Sequence, residues 1–302
     1  MTTVLALGGN ALTRAGQRGT AAEQLANLRA TFASLGPLLA EKRLAVTHGN
    51  GPQVGQALLR QERAAEDVPP LPLYLAVAET QATIGALIVA ELGAASGRRA
   101  ACVLTRVVVD PEDPAFAEPA KPIGPFYGEA QARRLETERG WAVRPDAGRG
   151  WRRVVPSPAP LEIVELDAIR SLLEAGFVSV SCGGGGIPVV RLDGRLNGAG
   201  AVIDKDRASA LLAVGLGARR LVILTDVPAV ARGFGSDEAR ELRTLTLDEA
   251  DALLPQLAAG SMGPKVESAA RFVRETGGEA LITSARALAE ALAGRAGTRM
   301  AG

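Results

Sequence analysis

Short apolar runs alternate along this chain with longer segments of helical periodicity. The apolar runs have the length of strands, and the segments between them are rich in alanine and leucine. This pattern is typical of a mainly parallel sheet covered by helices, that is, of an α/β fold. We predict strands at 3–7, 44–48, 101–109, 178–182, 221–225 and 280–283, and helices at 21–40, 54–65, 78–92, 162–175, 208–214, 248–257, 265–275 and 287–293.

One region interrupts this alternation. Residues 110–160 contain nine of the 18 prolines and both tryptophans, Trp141 and Trp151. Proline is excluded from helix interiors and from central strands, so we predict an inserted, irregular subdomain of about 40 to 50 residues. Open α/β sheets bind ligands at the carboxyl edge of their strands, which favours a functional role for the insertion over a surface excursion without function.

Three of the predicted strands end in glycine clusters, which begin at Gly8, Gly49 and Gly183. Glycine lets the backbone approach a ligand closely and point successive N–H groups at an anion. A single loop of this kind is often only a turn, but three at one sheet edge predict an anion-binding crevice. The predicted phosphate- and substrate-binding residues are Gly8, Gly9, Asn10, Gly49, Asn50, Gly51, Gly184 and Gly185.

The familiar nucleotide and metal motifs are missing from the sequence. It contains neither a P-loop motif nor the third glycine of a dinucleotide loop, and it lacks the signatures of protein kinases. The single histidine, His48, and the distant Cys102 and Cys182 cannot form a metal cluster, so we predict no metal bound by side chains alone. We interpret His48 as structural and the cysteines as buried free thiols of a reducing compartment.

Lysine is rare in this chain, and its positions are informative. The 34 basic residues include only four lysines, Lys42, Lys121, Lys205 and Lys265. Lys205 and Lys265 stand at predicted helix starts, where the helix dipole disfavours a cation unless an anion is bound there. Lys121 lies in a stretch of the insertion that we expect to be a loop fixed by prolines, whereas Lys42 resembles an ordinary solvated lysine. An ammonium reaches single oxygen atoms, whereas a guanidinium is a planar fork.

Two aspartates flank Lys205 in the segment VIDKDR. Asp204 is predicted to cap the following helix, and Asp206 to orient the ammonium or to face a metal. Lysines and glycine amides around an anion suit phosphoryl transfer that depends on positioning and electrostatics rather than on a general base. The predicted catalytic residues are Lys121, Lys205, Asp206 and Lys265.

Charge and composition exclude other classes of function. The net charge of +1 creates no field that would gather nucleic acid or anionic lipid, and aromatic residues make up only 3% of the chain. No apolar run reaches the ~18 residues of a membrane-spanning helix. The amino terminus passes directly into a predicted strand, which favours a mature cytoplasmic protein over a signal peptide. We therefore expect no nucleic-acid and no membrane partner.

Seven segments resemble, in order along the chain, the carbamate kinases of the amino acid kinase superfamily. They are ALGGNAL, THGNGPQVG, DAGRGWRRVVPSP, CGGGGIPVV, VIDKDRASALLA, LVILTDV and GSMGPK. The resemblance extends from about Val4 to Ala293. The glycine motifs are shared with acetylglutamate, aspartate and uridylate kinases, whereas KPIGPF and DAGRGWRRVVPSP in the insertion are more specific to carbamate kinases.

This resemblance implies a three-layer α/β/α sandwich on a mainly parallel, eight-stranded sheet. It implies one domain over residues 1–302, with a small subdomain that protrudes near residues 115–155, and a homodimer. The implied reaction is reversible and depends on Mg²⁺: the γ-phosphoryl group of ATP passes to carbamate, which gives ADP and carbamoyl phosphate. The family usually runs this reaction backwards, as ATP synthesis at the end of arginine fermentation.

The resemblance also implies roles for the predicted residues. Gly8, Gly9 and Asn10 contact the transferring phosphoryl group, and residues 49–51 hold carbamate. Lys205 and Lys265 neutralise the phosphoryl oxygens, and Asp206 orients these two lysines.

A further implication concerns a charge that this chain lacks. Other superfamily members carry a lysine two residues before the first glycine pair, where this chain has Ala6. We therefore expect Lys121 to supply the missing charge from the subdomain. The implied nucleotide-binding residues are Thr225, Asp226, Val227, Met262 and Pro264.

Two other interpretations remain open on the sequence. A relative that phosphorylates another small acid would need room for a larger substrate beside residues 49–51. A catalytically silent, ligand-binding protein on the same scaffold would be expected to have disrupted lysine sites, yet Lys205, Asp206 and Lys265 are all present.

Overall fold

The computed structural model describes residues 1–14, 16–146, 150–234, 238–257 and 261–302. Parts of two quoted motifs, at residues 147–149 and 260, lie outside this range. The strands are β1 (Thr2–Leu7), β2 (Arg43–His48), β3 (Ala100–Cys102), β4 (Arg106–Val109), β5 (Lys121–Tyr127), β6 (Ala142–Pro145), β7 (Trp151–Val155), β8 (Pro160–Ile163), β9 (Val178–Val180), β10 (Ile187–Leu192), β11 (Arg195–Gly198), β12 (Arg220–Thr225), β13 (Val230–Arg232), β14 (Arg240–Leu242), β15 (Glu279–Ser284) and β16 (Thr298–Ala301). The helices are α1 (Ala21–Ala33), α2 (Gly36–Leu39), α3 (Gly51–Arg63), α4 (Leu73–Ser96), α5 (Glu129–Arg139), α6 (Leu166–Glu174), α7 (Lys205–Gly215), α8 (Leu247–Leu253), α9 (Met262–Thr276) and α10 (Leu288–Leu292).

The central sheet has the strand order β16-β15-β12-β1-β2-β9-β3. Its neighbouring strands run parallel except at one edge, where β16 is antiparallel to β15. The predicted α/β class with a mainly parallel sheet is therefore confirmed. Because parallel strands point their carboxyl ends to the same edge, the segments that follow β12, β1, β2 and β9 lie side by side there.

The three-layer arrangement follows from the alternation of side chains along β1. Val4 and Ala6 join the apolar core on one face of the sheet, together with residues of α7 and α9. Leu5 and Leu7 join the core on the other face, together with residues of α1 and α4. Successive strand side chains point to opposite faces, and all four are fully buried, so helices cover the sheet on both sides.

The strand count differs from the eight strands that the resemblance implies. Within the described residues the central sheet has seven strands, and a second sheet has the order β11-β10-β4-β8. The predicted strand at 101–109 is interrupted, so β3 belongs to the central sheet and β4 to the second one. The predicted strand at 178–182 ends at Val180, because the backbone of Cys182 adopts the left-handed conformation with φ of 50°.

The helix boundaries are also set by individual residues and by neighbouring elements. The predicted helix at 21–40 is divided into α1 and α2, since the Gly36-Pro37 pair begins a separate turn. The predicted helix at 162–175 is shorter than expected, because its first residues belong to β8. Helix α7 begins at Lys205, and the Asp204 carboxylate accepts bonds from the backbone N–H groups of Asp206 and Arg207, as predicted for an N-cap.

The inserted region is regular, which corrects the prediction of an irregular subdomain. Strands β5, β7 and β6 form an antiparallel sheet in that order, and α5 packs on it through a small core that includes Trp141. Lys121 begins β5 and does not lie in a loop. The prolines of this sheet fall in β5 and β6, which are its edge strands, and the central β7 has none, so proline never has to donate a central ladder bond.

Helix α4 is 24 residues long and apolar enough to cross a membrane by length and composition. Its buried face packs against the sheet and carries polar side chains, among them Thr80 and Gln81, that bond to the chain around them. These contacts are those of a core helix in a folded domain. Cys182 is buried and Cys102 is partly exposed, and both thiols are free, so only one of them has the full burial that we predicted.

Candidate active site

The predicted glycine loops lie next to one another at the carboxyl edge of the sheet. They follow β1, β2 and β9, which are neighbours in the strand order. The loop after β2 leads directly into α3 at Gly51, and Gly183–Gly185 forms a single tight turn. The amino-terminal ends of α7 and α9 bring Lys205 and Lys265 to the same edge. The sequence placed both lysines at helix starts, and the structure does so too.

Asp206 is the centre of the charge cluster. One of its carboxylate oxygens accepts a bond from Lys205 Nζ, and the other accepts a bond from Lys265 Nζ at 2.8 Å. The side chains of the two lysines are only 12% and 13% exposed, and that of Asp206 is 3% exposed. One buried carboxylate therefore holds two ammonium groups close together, which leaves the cluster one positive charge in excess.

Asp204 makes a second ion pair beside this cluster. Lys121 Nζ donates to Asp204 Oδ2 at 2.5 Å, and so links the inserted subdomain to the start of α7. The same aspartate caps α7 through its other oxygen. Asp204 therefore has two roles, and the sequence indicated only the cap. The contact brings the three predicted lysines together at the start of α7, where they pair with Asp204 and Asp206.

The pKa directions follow from burial and from these contacts. Burial opposes the ionisation of both aspartates, but Lys121 and Lys205 outweigh it and hold the pKa of Asp204 and that of Asp206 below the ordinary value. Burial lowers the pKa of Lys205, although Asp206 opposes the shift. For Lys265 burial is outweighed by Asp206, and the pKa is raised. Both aspartates are accordingly carboxylates at neutral pH.

Close backbone approaches explain glycine at several of the predicted positions. A Cβ atom on Gly8 would lie 2.7 Å from the carbonyl oxygen of Leu224, and one on Gly185 would lie 2.2 Å from that of Ile203. Gly185 also has a left-handed backbone, with φ of 91°. A Cβ atom on Gly49 would lie 3.4 Å from Lys205 Cδ, so the stem of that lysine runs along the loop after β2. The glycines bring the loops to within contact of the cluster.

His48 is fully buried at the end of β2, in agreement with a structural role. Its Nδ1 atom bonds to the carbonyl oxygen of Gly49 at 3.0 Å, and its Nε2 atom has no partner. Burial, with a smaller contribution from Lys205, lowers the pKa of His48 to about 4. The imidazole is neutral at physiological pH, so this histidine supports the loop and is not part of the charge cluster.

A cavity of about 470 Å³ lies beyond the cluster, between the end of β12 and the helices α8 and α9. Its size and mainly apolar lining are those of a small-molecule site. Of the predicted nucleotide-binding residues, Thr225, Asp226, Val227 and Met262 line it, whereas Pro264 lies in the first turn of α9 and is not part of the described lining. Other residues around it were not singled out from the sequence, and these include Phe234, Leu253, Gln256 and Leu257.

A second cavity of about 590 Å³ meets the first at Thr225 and Asp226. Gly8 and Asn10 line it, so it connects the apolar cavity with the loop after β1. The arrangement allows an elongated ligand to place an apolar end in the first cavity and an anionic end at the glycine loops. The apolar residues of the first cavity could not be chosen from the sequence, because leucine and phenylalanine carry no signal that distinguishes a site from a core.

Comparison with known proteins agrees with this geometry. Residues 1–284 match the model of the amino acid kinase family. The carbamate kinase of Pyrococcus horikoshii is 42% identical, and the alignment covers 98% of each chain.

Solved structures give the same result. Carbamate kinase from Giardia lamblia bound to citric acid is 40% identical with a TM-score of 0.92, over 99% of this chain and 98% of that one. The same enzyme bound to AMP-PNP is 39% identical with a TM-score of 0.89, at the same coverage. The chain therefore belongs to the amino acid kinase family and, within it, to the carbamate kinases.

Proposed function

We propose that this protein catalyses the reversible, Mg²⁺-dependent transfer of a phosphoryl group between ATP and carbamate, and that it mainly synthesises ATP from carbamoyl phosphate in arginine breakdown. The proposal rests on the bonds from Lys205 and Lys265 to the carboxylate of Asp206, beside the glycine loops. Phosphoryl transfer needs cations that neutralise the oxygens of the moving group. The reaction class also follows from the relatives, which are named carbamate kinases.

In the forward direction a carbamate oxygen attacks the γ-phosphorus atom of ATP, and the bond from that phosphorus atom to the ADP oxygen breaks. Carbamate is already an anion, so no proton has to be removed from the attacking oxygen. This agrees with a site whose only histidine is buried and neutral. Lys205 and Lys265 stabilise the charge that spreads over the phosphoryl oxygens, and Asp206 keeps the two lysines close together and oriented.

The substrates are assigned to the loops as follows. Carbamate lies against the loop at residues 49–51, and the phosphoryl group lies between Gly8 and the two lysines. The nucleotide base occupies the cavity lined by Val227 and Met262, with its phosphates directed past Asp226. The Giardia lamblia enzyme that binds AMP-PNP has this fold, which supports a nucleotide in this chain.

The residues of the site fit a magnesium ion that is held mainly by the nucleotide. In the described part of the chain no group of three or more potential ligand side chains is present. Asp204 and Asp206 are engaged by lysines, whereas Asp226 lines both cavities. Mg²⁺ is commonly bound by one or two carboxylates together with substrate phosphates, so Asp226 would be its contact on the protein. Bound there, the ion would neutralise charge on the phosphates.

The direct test is to incubate the purified protein with ADP, Mg²⁺ and carbamoyl phosphate and to measure ATP by luciferase luminescence. We expect ATP to form, and its formation to stop when EDTA removes the metal. Absence of ATP with active reagents would contradict the proposal. Inhibition by acetylglutamate or aspartate in the same assay would instead favour a kinase for a larger acid.

We further propose a cytoplasmic homodimer. The outward face of α4 carries alanines and the exposed Leu75, and the exposed Val68 and Leu71 adjoin it. Together they form an apolar surface suited to a second copy. The two free cysteines agree with a reducing compartment. Sedimentation velocity should give a species of twice the chain mass of 31.1 kDa, and a monomer at micromolar concentration would contradict this.

A further inference from the structure

Two consecutive residues of α4 bond to two different glycine loops of the site. Asn50 Nδ2, in the loop after β2, donates to Thr80 Oγ1 at 2.9 Å. Gln81 Nε2 donates to the carbonyl oxygen of Gly183, in the loop after β9, also at 2.9 Å. Thr80 and Gln81 are 4% and 1% exposed. Neither residue reaches the charge cluster, and the reaction described above gives neither of them a role.

Gln81 uses both ends of its side-chain amide. Its Oε1 atom accepts a bond from the backbone N–H of Thr105 at 2.6 Å, so the amide joins the glycine loop to the break between β3 and β4. Thr105 Oγ1 in turn accepts a bond from the N–H of Cys182 at 3.0 Å. Cys182 has the left-handed backbone that starts the glycine run, so Gln81 and Thr105 together hold this unusual turn in place.

Thr80 fixes the orientation of Asn50. The threonine hydroxyl donates to the carbonyl oxygen of Val77 at 2.9 Å, which leaves its lone pairs for the Asn50 amide. The Asn50 side chain lies directly against the next loop, since a Cβ atom on Gly184 would be 2.2 Å from its Nδ2 atom. The distance between the two loops is therefore set by the orientation of Asn50, and Thr80 sets that orientation.

We propose that Thr80 and Gln81 are positioning residues, which hold the loop at residues 49–51 and the loop at residues 183–186 at the separation that fits a small, planar anion. The inference rests on the proposed function for the identity of that anion. Asn50 lies directly against Gly184, so a wider separation of the two loops, as a larger acid would need, requires Asn50 to move. The pair thereby acts on the carbamoyl substrate and not on the nucleotide, whose cavity has neither loop in its described lining.

The kinetic test compares Thr80→Val and Gln81→Met with Thr83→Val as a matched control. Thr83 lies on the same helix and is exposed, and within the described structure its hydroxyl donates to the backbone oxygen of Thr80. We expect kcat/KM for carbamoyl phosphate to fall about 10- to 100-fold in the first two variants, because small displacements of a reacting group are costly. The KM for ADP should stay within about twofold of wild type. Thr80→Ser should keep the activity that Thr80→Val loses, because serine retains the hydroxyl.

Three kinetic results would overturn the proposal. They are wild-type kcat/KM in both Thr80→Val and Gln81→Met, an equal loss in Thr83→Val, and a parallel rise in the KM for ADP. Gln81→Glu provides a second test at that position if Gln81→Met fails to fold. It keeps the acceptor for the Thr105 N–H and loses the bond to Gly183, so it should also be impaired, and full activity in a folded Gln81→Glu would overturn the role of Gln81.

Hydrogen–deuterium exchange separates this inference from the proposed function. Peptides that cover residues 49–53 and 183–187 should exchange faster in Thr80→Val and in the folded Gln81 variant, and at the wild-type rate in Thr83→Val. If the wild-type protein made no ATP, the proposed function would fail, yet the exchange rates would still show whether these residues hold the loops. Unchanged exchange in both loops would overturn the inference, whatever the activity.

Discussion

Lys265 Nζ lies 2.8 Å from Asp206 Oδ2, although 59 residues separate the two positions in the chain. The contact joins the first turn of α9 to the first turn of α7 inside the protein, where an unpaired charge is costly. The site is therefore organised around a buried carboxylate that the substrates do not have to touch. The consequences can be tested by substitutions that alter charge or shape at single positions.

Replacing Asp206 should disable the cluster as a whole. Asp206→Asn keeps the shape and removes the charge that balances Lys205 and Lys265, so the two ammonium groups repel each other. We expect kcat to fall at least about 100-fold and the free energy of unfolding, measured with urea, to fall by about 3 kcal/mol. Glu267→Gln, which breaks the more exposed pair with Arg207 on the same two helices, is the control and should cost less than about 1 kcal/mol.

Lysine at position 205 should be required for its shape as well as its charge. In Lys205→Arg the planar guanidinium must fit a buried space beside Gly49, and it cannot aim one compact charge at a single oxygen. We expect kcat to fall about 100- to 1,000-fold, while the melting temperature stays near that of wild type. Wild-type turnover in this variant would refute the role assigned to the ammonium.

Lys121 should be needed for catalysis, whereas the start of α7 should keep its cap without it. In Lys121→Met the Asp204 carboxylate keeps its bonds to the start of α7, so the helix remains capped. The site loses the only cation that the subdomain brings to Asp204 in the described structure, and we expect kcat to fall about 10- to 100-fold. Lys42→Met is the matched control, because Lys42 is exposed and is the one lysine that was not predicted to be catalytic. Equal activity of the two variants would count against a catalytic Lys121.

The subdomain should depend on one glycine pair for its position. A Cβ atom on Gly55 of α3 would lie 1.9 Å from the Cα atom of Gly124 in β5, so Gly55→Ala must push the subdomain away from α3. Lys121 would move with it, and we expect kcat to fall about 10-fold or more. Gly36→Ala, at an exposed position with no atom near its Cβ, should remain fully active. Unchanged kinetics in Gly55→Ala would show that the subdomain tolerates displacement.

Stability should depend on pH through the only histidine. The pKa of His48 is about 4 in the folded protein, against 6.5 for an exposed histidine, so the unfolded chain binds more protons between these values. The stabilisation is complete above about pH 6.5 and is lost as pH falls towards 4, with about 2 kcal/mol gone by pH 5. Urea titrations at pH 7 and pH 5 measure this difference. A His48→Gln variant should lose most of it, and an equal pH dependence in that variant would exclude His48 as the cause.

The central sheet could be predicted because its strands are buried on both faces. Such strands are continuous apolar runs in the sequence, and the predicted runs at 3–7 and 221–225 differ from β1 and β12 by one residue at their starts. Edge strands and hairpins carry a weaker signal, so β16 and the hairpin of β10 and β11 were not predicted. The prolines of the insertion indicate an irregular chain in the sequence, because proline is excluded from central strands. The sheet is regular all the same, since edge strands tolerate proline.

In the site, the sequence was enough to select the unusual residues, but it did not show which residues they contact. Lys205 and Lys265 stood out because lysine is rare in this chain and both positions start helices. The pairing of Lys121 with Asp204 spans 83 residues and depends on how the subdomain docks, which no local pattern records. Thr80 and Gln81 were missed for the same reason, since polar residues on an apolar helix acquire meaning only when the loops that they contact are placed.

Because lysine is rare in this chain, the acylation rates of its amines can be followed one by one. Lys42 is exposed, whereas the side chains of Lys205 and Lys265 are 12% and 13% exposed, and their amines are held by Asp206. An acylating reagent therefore modifies Lys42 and the terminal amine first, and it reaches the buried pair only when the cluster opens. Peptide mass spectrometry of acylated Lys205 and Lys265 would give the rate at which the cluster opens, with the acylation of Lys42 as the reference rate.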